Sequence, residues 1–99
     1  MTKQELVEKI AQEKGIPKME VAVVVEALME TVKDKMTSGK NVYLRGFGSF
    51  VVKRRAEKTG RNITKNTTVI IPEHNIPAFK PSESFVNDVR KKVPVSRKD

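Results

Sequence analysis

At Gly39 the spacing of apolar side chains changes from the period of a helix to the period of a strand, so the chain must join two kinds of layer. Upstream, Thr2 and Glu5 stand at capping-box spacing. Leu6, Val7, Ile10 and Ala11 then recur on one face up to Gly15, a natural helix stop, which predicts a first helix. Residues 18–38 repeat the pattern, with Val21, Val25, Leu28, Met29, Val32 and Met36 apolar and Glu26, Glu30, Lys33 and Asp34 polar. The short Gly15-Ile16-Pro17 connection makes these a helical hairpin, and Ser38-Gly39 ends it.

Downstream, Val42 and Leu44 alternate with Tyr43 and Arg45, and Gly46-Phe-Gly48 turns the chain into Ser49-Phe-Val-Val-Lys-Arg-Arg55. A third strand is expected over Thr67–Ile71, rich in β-branched residues, with Thr59–Asn66 as the turn before it. Pro72, Pro77 and Pro81 break regularity, and Ser82 opens a last amphipathic helix bearing Phe85, Val86 and Val89 and ending near Lys92. The order predicts an α+β domain over residues 1–92. It comprises an N-terminal helical hairpin, a three-stranded antiparallel sheet with a long projecting β-arm at residues 53–75, and a C-terminal helix. Residues 93–99 are expected to form a flexible basic tail.

Such a fold is short of core. If the arm projects and the tail frays, roughly 70 residues must bury enough apolar surface, close to the size where one core no longer suffices. The apolar stripe of the second helix exceeds what one small sheet covers, so an intertwined homodimer with an unstable monomer is expected.

Charge is unevenly placed. Residues 1–39 carry six basic and seven acidic groups, whereas residues 40–65 carry eight and one, out of a formal +8 for the chain. A field concentrated in this way favours a polyanion, either nucleic acid or an anionic membrane. The longest apolar run, Val21–Val25, is too short to span a bilayer, and the acidic N-terminus does not resemble a signal peptide, so a soluble cytoplasmic protein without a membrane partner is expected. The chain has no cysteine, which fits a reducing compartment.

Lys53 and Arg55 lie two apart and share a strand face, and Lys58, Arg61 and Lys65 continue the charge toward the hairpin tip. Such an arm stabilises no fold by itself, but along a groove its cations can neutralise phosphates and release counterions. A solvated edge hairpin with protective charges is the other reading. Ile63 sits at the tip amid Asn62, Thr64 and Lys65, an apolar side chain that a base step could cover.

Other signals carry no chemistry. Gly46-Phe-Gly48 lacks the third glycine and the helix of a dinucleotide fingerprint. Phe47, Phe50 and Phe79 read as core or dimer-interface aromatics, and His74, the single histidine, has no partner spacing for a metal or a triad. Asn62-Ile-Thr and Asn66-Thr-Thr match glycosylation sequons but no secretory signal accompanies them. No enzyme activity, metal, cofactor or small-molecule substrate is expected.

Arg45-Gly-Phe-Gly-Ser-Phe50, Gly60-Arg-Asn62 and Ile76-Pro-Ala-Phe-Lys-Pro81 resemble successive signature stretches of the HU/integration-host-factor family of bacterial DNA-bending proteins, over residues 1 to about 92. The resemblance implies an intertwined dimer in the nucleoid, with a helical base, a saddle of sheets and two arms reaching along the minor groove of double-stranded DNA. Carried onto matching positions, Lys53, Arg55, Lys58, Arg61 and Asn62 belong to the contacts of the arm with backbone and groove, and Lys3 and Lys80 to flanking phosphates. Two departures stand out: Ile63 replaces the usual tip proline, and Glu83 and Val86 occupy positions often basic in the family. The function expected is histone-like, sequence-tolerant DNA binding and bending. A sequence-specific integration-host-factor-like subunit, an RNA-binding module and a dimer gripping an acidic protein are the alternatives.

Overall fold

Helix α1 (Lys3–Lys14) starts where Thr2 Oγ1 accepts the Glu5 N–H at 3.2 Å and stops at Gly15, whose φ of 65° is the left-handed conformation that a Cβ disfavours. The computed structural model describes residues 1–96. Helix α2 (Lys18–Thr37) follows Pro17 directly, and the pair is tied by the Lys18–Glu8 ion pair at 2.9 Å and by Lys3 to Glu26.

A three-stranded antiparallel sheet follows, ordered β1 (Val42–Leu44), β2 (Gly48–Arg55) and β5 (His74–Pro81). Strands β3 (Lys58–Asn62) and β4 (Thr67–Ile71) form a separate two-stranded ladder. The α+β class and the arm are as expected, but the assignment of the third strand needs correction. Thr67–Ile71 pairs within the arm, and the sheet takes His74–Pro81 as its third member, although that stretch holds two of the three prolines expected to break regularity, Pro77 and Pro81. Edge geometry explains it. Val52 lies opposite Pro77, and the Val52 N–H is given to Asn41 Oδ1 at 2.9 Å, on the β1 side. This is therefore a pair that exchanges no ladder bonds, and Pro77 lacks its N–H only toward the free outer edge.

Helix α3 (Glu83–Lys92) is capped by Ser82 Oγ, which accepts the Phe85 N–H at 3.2 Å. The same residue ties the helix to the β1–β2 turn: its N–H bonds the Phe47 carbonyl at 2.9 Å and its hydroxyl the Gly46 carbonyl at 3.1 Å. Beneath this joint, Phe47, Phe50, Phe79 and Phe85 stack on one another with ring centroids 4.9–5.5 Å apart. The packing allows no side chain at Gly48, where a Cβ would lie 2.5 Å from the Lys80 carbonyl oxygen and 2.6 Å from Phe79 Cζ.

Within one chain the core is thin. Only Val7 and Val21 are buried hydrophobics among the described residues, while Val24 is 66% exposed and Leu28 53%. The Cα radius of gyration is 19.0 Å, against about 13 Å for a compact chain of 100 residues.

Candidate nucleic-acid interface

The register of the sheet runs on into the arm. Arg55 lies opposite His74 and, three residues further, Lys58 lies opposite Ile71, so β2–β5 and β3–β4 are one hairpin interrupted at Ala56-Glu57 and Pro72-Glu73. Pro72 has no N–H to bridge that gap, and the break lets the outer arm bend away from the sheet. On the reverse face, Arg54 crosses the break to pair with Glu73 at 3.2 Å.

Register assigns the remaining cations to faces, because directly opposed residues project to the same side and alternate along the strand. Ser49 opposes Lys80, Lys53 opposes Ile76 and Arg55 opposes His74, so Lys80, Lys53 and Arg55 share one face of the sheet. Phe50, Phe79, Val52 and Pro77 occupy the other face, the aromatic side. Continuing the alternation places Arg61, opposite Thr68, with Lys53 and Arg55, and Lys58, opposite Ile71, on the reverse face of the arm. Among the described residues Lys53, Arg55, Lys58, Arg61, Lys65 and Lys80 are exposed and none lies within ion-pair distance of a carboxylate. Lys3 differs: it sits in the helical base, paired with Glu26.

The tip is built by asparagines. Asn62 Oδ1 accepts the Thr64 N–H at 3.1 Å and the Lys65 N–H at 3.3 Å, and Asn66 closes the turn at φ 52°, a left-handed conformation that asparagine tolerates. Arg61 donates from Nη2 to Asn66 Oδ1. Two residues read as direct contacts thus also shape the turn, Asn62 keeping its Nδ2 donors free and Arg61 the rest of its guanidinium. At the apex Ile63 is 90% exposed.

The prolines of β5 set Lys80 apart from the arm in the sequence, whereas the structure brings it onto the cationic face. The alternation of Ile76, Ala78 and Lys80 with Pro77, Phe79 and Pro81 was the available signal. His74 is exposed, its Nδ1 2.9 Å from the Pro72 carbonyl. Among the described residues no group of three His, Cys, Asp or Glu could hold a metal, and no helix is long and apolar enough to cross a membrane.

Fold and arm together define a class: a small α+β protein that carries a β-hairpin with an excess of unpaired cations among the described residues. The sequence pattern of the family described as bacterial DNA-binding protein matches residues 1–90, and the chain belongs to that family. It is similar to DNA-binding protein HU of Thermotoga maritima, at 33% identity over 90 residues that cover 91% of this chain and 100% of the relative. The SPbeta prophage-derived DNA-binding protein HU 2 of Bacillus subtilis is 38% identical over 92 residues, 93% of this chain and 100% of the relative. Among solved structures, HU in an Anabaena HU–DNA cocrystal superposes with a TM-score of 0.86 at 36% identity, covering 91% of this chain and 98% of that one.

Proposed function

We propose that this chain is a histone-like architectural DNA-binding protein, acting as an intertwined homodimer that binds double-stranded DNA with little sequence preference and bends it. The observation that carries the reading is the projecting hairpin whose exposed cations, Arg54 apart, have no carboxylate partner among the described residues and whose apex is a bare isoleucine. In this reading Lys53, Arg55, Arg61 and Lys80 meet phosphates from one face as the arm follows the minor groove. Lys58 and Lys65 reach the backbone from the other side and the tip, and Asn62 offers its amide hydrogens to the groove. Lys3 touches a flanking phosphate only by leaving Glu26. Ile63 enters a base step, a device of architectural proteins, HU among them, for which unstacking generally costs a few kcal/mol per step.

Two arms, one per protomer, supply paired wedges, and the exposed apolar faces of α2 and the sheet form the dimer core. Affinity comes from phosphate neutralisation, and selectivity comes from how readily the duplex deforms. The role is non-enzymatic and belongs to the cytoplasmic nucleoid.

A titration of pre-bent or nicked duplex against intact linear duplex, across salt and with duplex RNA as competitor, tests this. Smoothly bending a short site by 40–90° costs roughly 1–6 kcal/mol, so DNA that is already bent should bind more tightly. Equal affinity for bent and linear DNA rejects bending, and preferential competition by RNA rejects the DNA assignment.

A further inference from the structure

His74, the single histidine of the chain, opens β5 directly opposite Arg55, so its side chain projects from the face that carries Lys53, Arg55 and Lys80. It is exposed, and no carboxylate among the described residues lies within ion-pair distance of it. The register names the charges around it. On β2, the strand paired with β5, Arg55 faces the ring and Lys53 follows on the same side, opposite Ile76. Glu73, next in the chain, is held on the reverse face by Arg54. Beyond the interruption stand Glu57 and Lys58, neither of them ion-paired among the described residues.

One ring nitrogen is already committed. His74 Nδ1 lies 2.9 Å from the Pro72 carbonyl oxygen, and a carbonyl only accepts, so the bond requires the hydrogen to sit on Nδ1. In the neutral ring the other nitrogen, Nε2, then carries a lone pair and no hydrogen. A phosphate oxygen of a DNA backbone is also an acceptor, so it gains no bond from that lone pair. Adding a proton turns Nε2 into a charged donor, and phosphate oxygens accept strongly from charged donors. Histidine is the side chain type whose charge changes between about pH 5 and 8, whereas lysine and arginine stay charged throughout. The Pro72 bond, by fixing the tautomer, therefore makes any phosphate bond at Nε2 conditional on a proton.

We infer that His74 is a proton-dependent phosphate site at the base of the arm: the ring takes up a proton as a backbone phosphate of the duplex binds Nε2, and DNA affinity rises as pH falls. This rests on the DNA-binding reading above. The sign follows from reciprocity, since a bound phosphate favours the charged ring and the charged ring must favour the phosphate equally. Two arms supply two such sites per dimer, and each adds one phosphate to the number that sets the salt dependence.

The test titrates the full chain, His74→Gln and His74→Lys with one linear duplex, from about pH 8 to about pH 5.5 and from about 50 to about 200 mM salt. For the full chain, acidification should steepen the salt slope by about 0.9 per site, or about 1.8 per dimer. The gain in affinity on acidification is then roughly tenfold larger at the low end of that salt range than at the high end. Glutamine keeps an amide donor but has no proton to gain, so His74→Gln should hold the shallower slope at every pH. His74→Lys, charged throughout, should hold the steeper one.

Calorimetry at about pH 7 in buffers of different ionisation enthalpy reads the proton itself. The full chain should take up as many as two protons per dimer on binding, an uptake that both variants lack. The same pH profile and proton uptake in the full chain and in His74→Gln, with DNA still bound, overturn the site and leave the DNA reading standing. Failure of all three proteins to bind the duplex at low salt at any pH overturns both.

Discussion

Ile63 is the residue at which the proposed bending can be tested apart from binding. A β-branched side chain that is 90% exposed at a turn contributes nothing to the fold, so shortening it changes only what the tip does to a partner. Ile63→Ala is expected to keep most of the affinity, which phosphate contacts supply, and to shorten the wedge, lowering the bend read by fluorescence transfer between duplex ends. An unchanged bend removes the wedge. Arg61→Ala should act in the opposite sense: it removes the proposed phosphate contact, about 0.9 of salt slope per arm, and also the bond to Asn66 that steadies the turn. Gly48 governs the other end of the cationic face. A methyl group there meets the Lys80 carbonyl at 2.5 Å, so Gly48→Ala must separate β2 from β5 and is expected to cost about 1–3 kcal/mol in denaturant unfolding. Unfolding at the parent midpoint contradicts that packing.

Among the elements, helices were the most legible from sequence. Thr2, Gly15, Ser38 and Ser82 mark their ends, and each stands at the expected cap position. The strands were harder to read. Their limits depend on which edge lacks a neighbour, and sequence does not carry that. Pro77 signals a break until its missing N–H is seen to face outward, which is why β5, and with it the position of Lys80, was missed. Thr59–Asn62 is polar with a glycine, and reads as turn because it has no core to alternate against; its partner across the ladder, not its composition, makes it a strand. The cations of the arm were legible as charge but not as faces, since the assignment of Arg61 and Lys58 to opposite sides needs the register. The ladder β3–β4 has exposed residues throughout β4, and a two-stranded ribbon of this kind is marginal in water. Its amides should exchange with solvent close to the unfolded rate while those of β2 and β5 in the sheet are protected, and duplex DNA should slow the arm selectively. Protection of the free arm equal to that of the sheet contradicts a freestanding hairpin.

At the scale of the molecule, the core that one chain buries is small. Among the described residues only two hydrophobic side chains are buried, the radius of gyration of 19.0 Å exceeds the roughly 13 Å of a compact chain of 100 residues, and the apolar stripe of α2 stays open to solvent, with Leu28 53% exposed. Folding and association should therefore be one equilibrium, with protomer concentration as a variable of stability. Each tenfold rise in concentration shifts such an equilibrium by about 1.4 kcal/mol, which for a unit of this combined size raises Tm by about 3–5 °C. Thermal unfolding by circular dichroism over three decades of concentration checks this. Leu28→Glu, which sets a carboxylate in each half of the shared core, should lower Tm steeply and restore folding only at high concentration, if at all. A Tm independent of concentration in the parent chain contradicts obligatory pairing. In the proposed mode of binding the consequence reaches function directly, because a monomer would offer one arm and one apolar tip, and a single contact point cannot hold both sides of a bend.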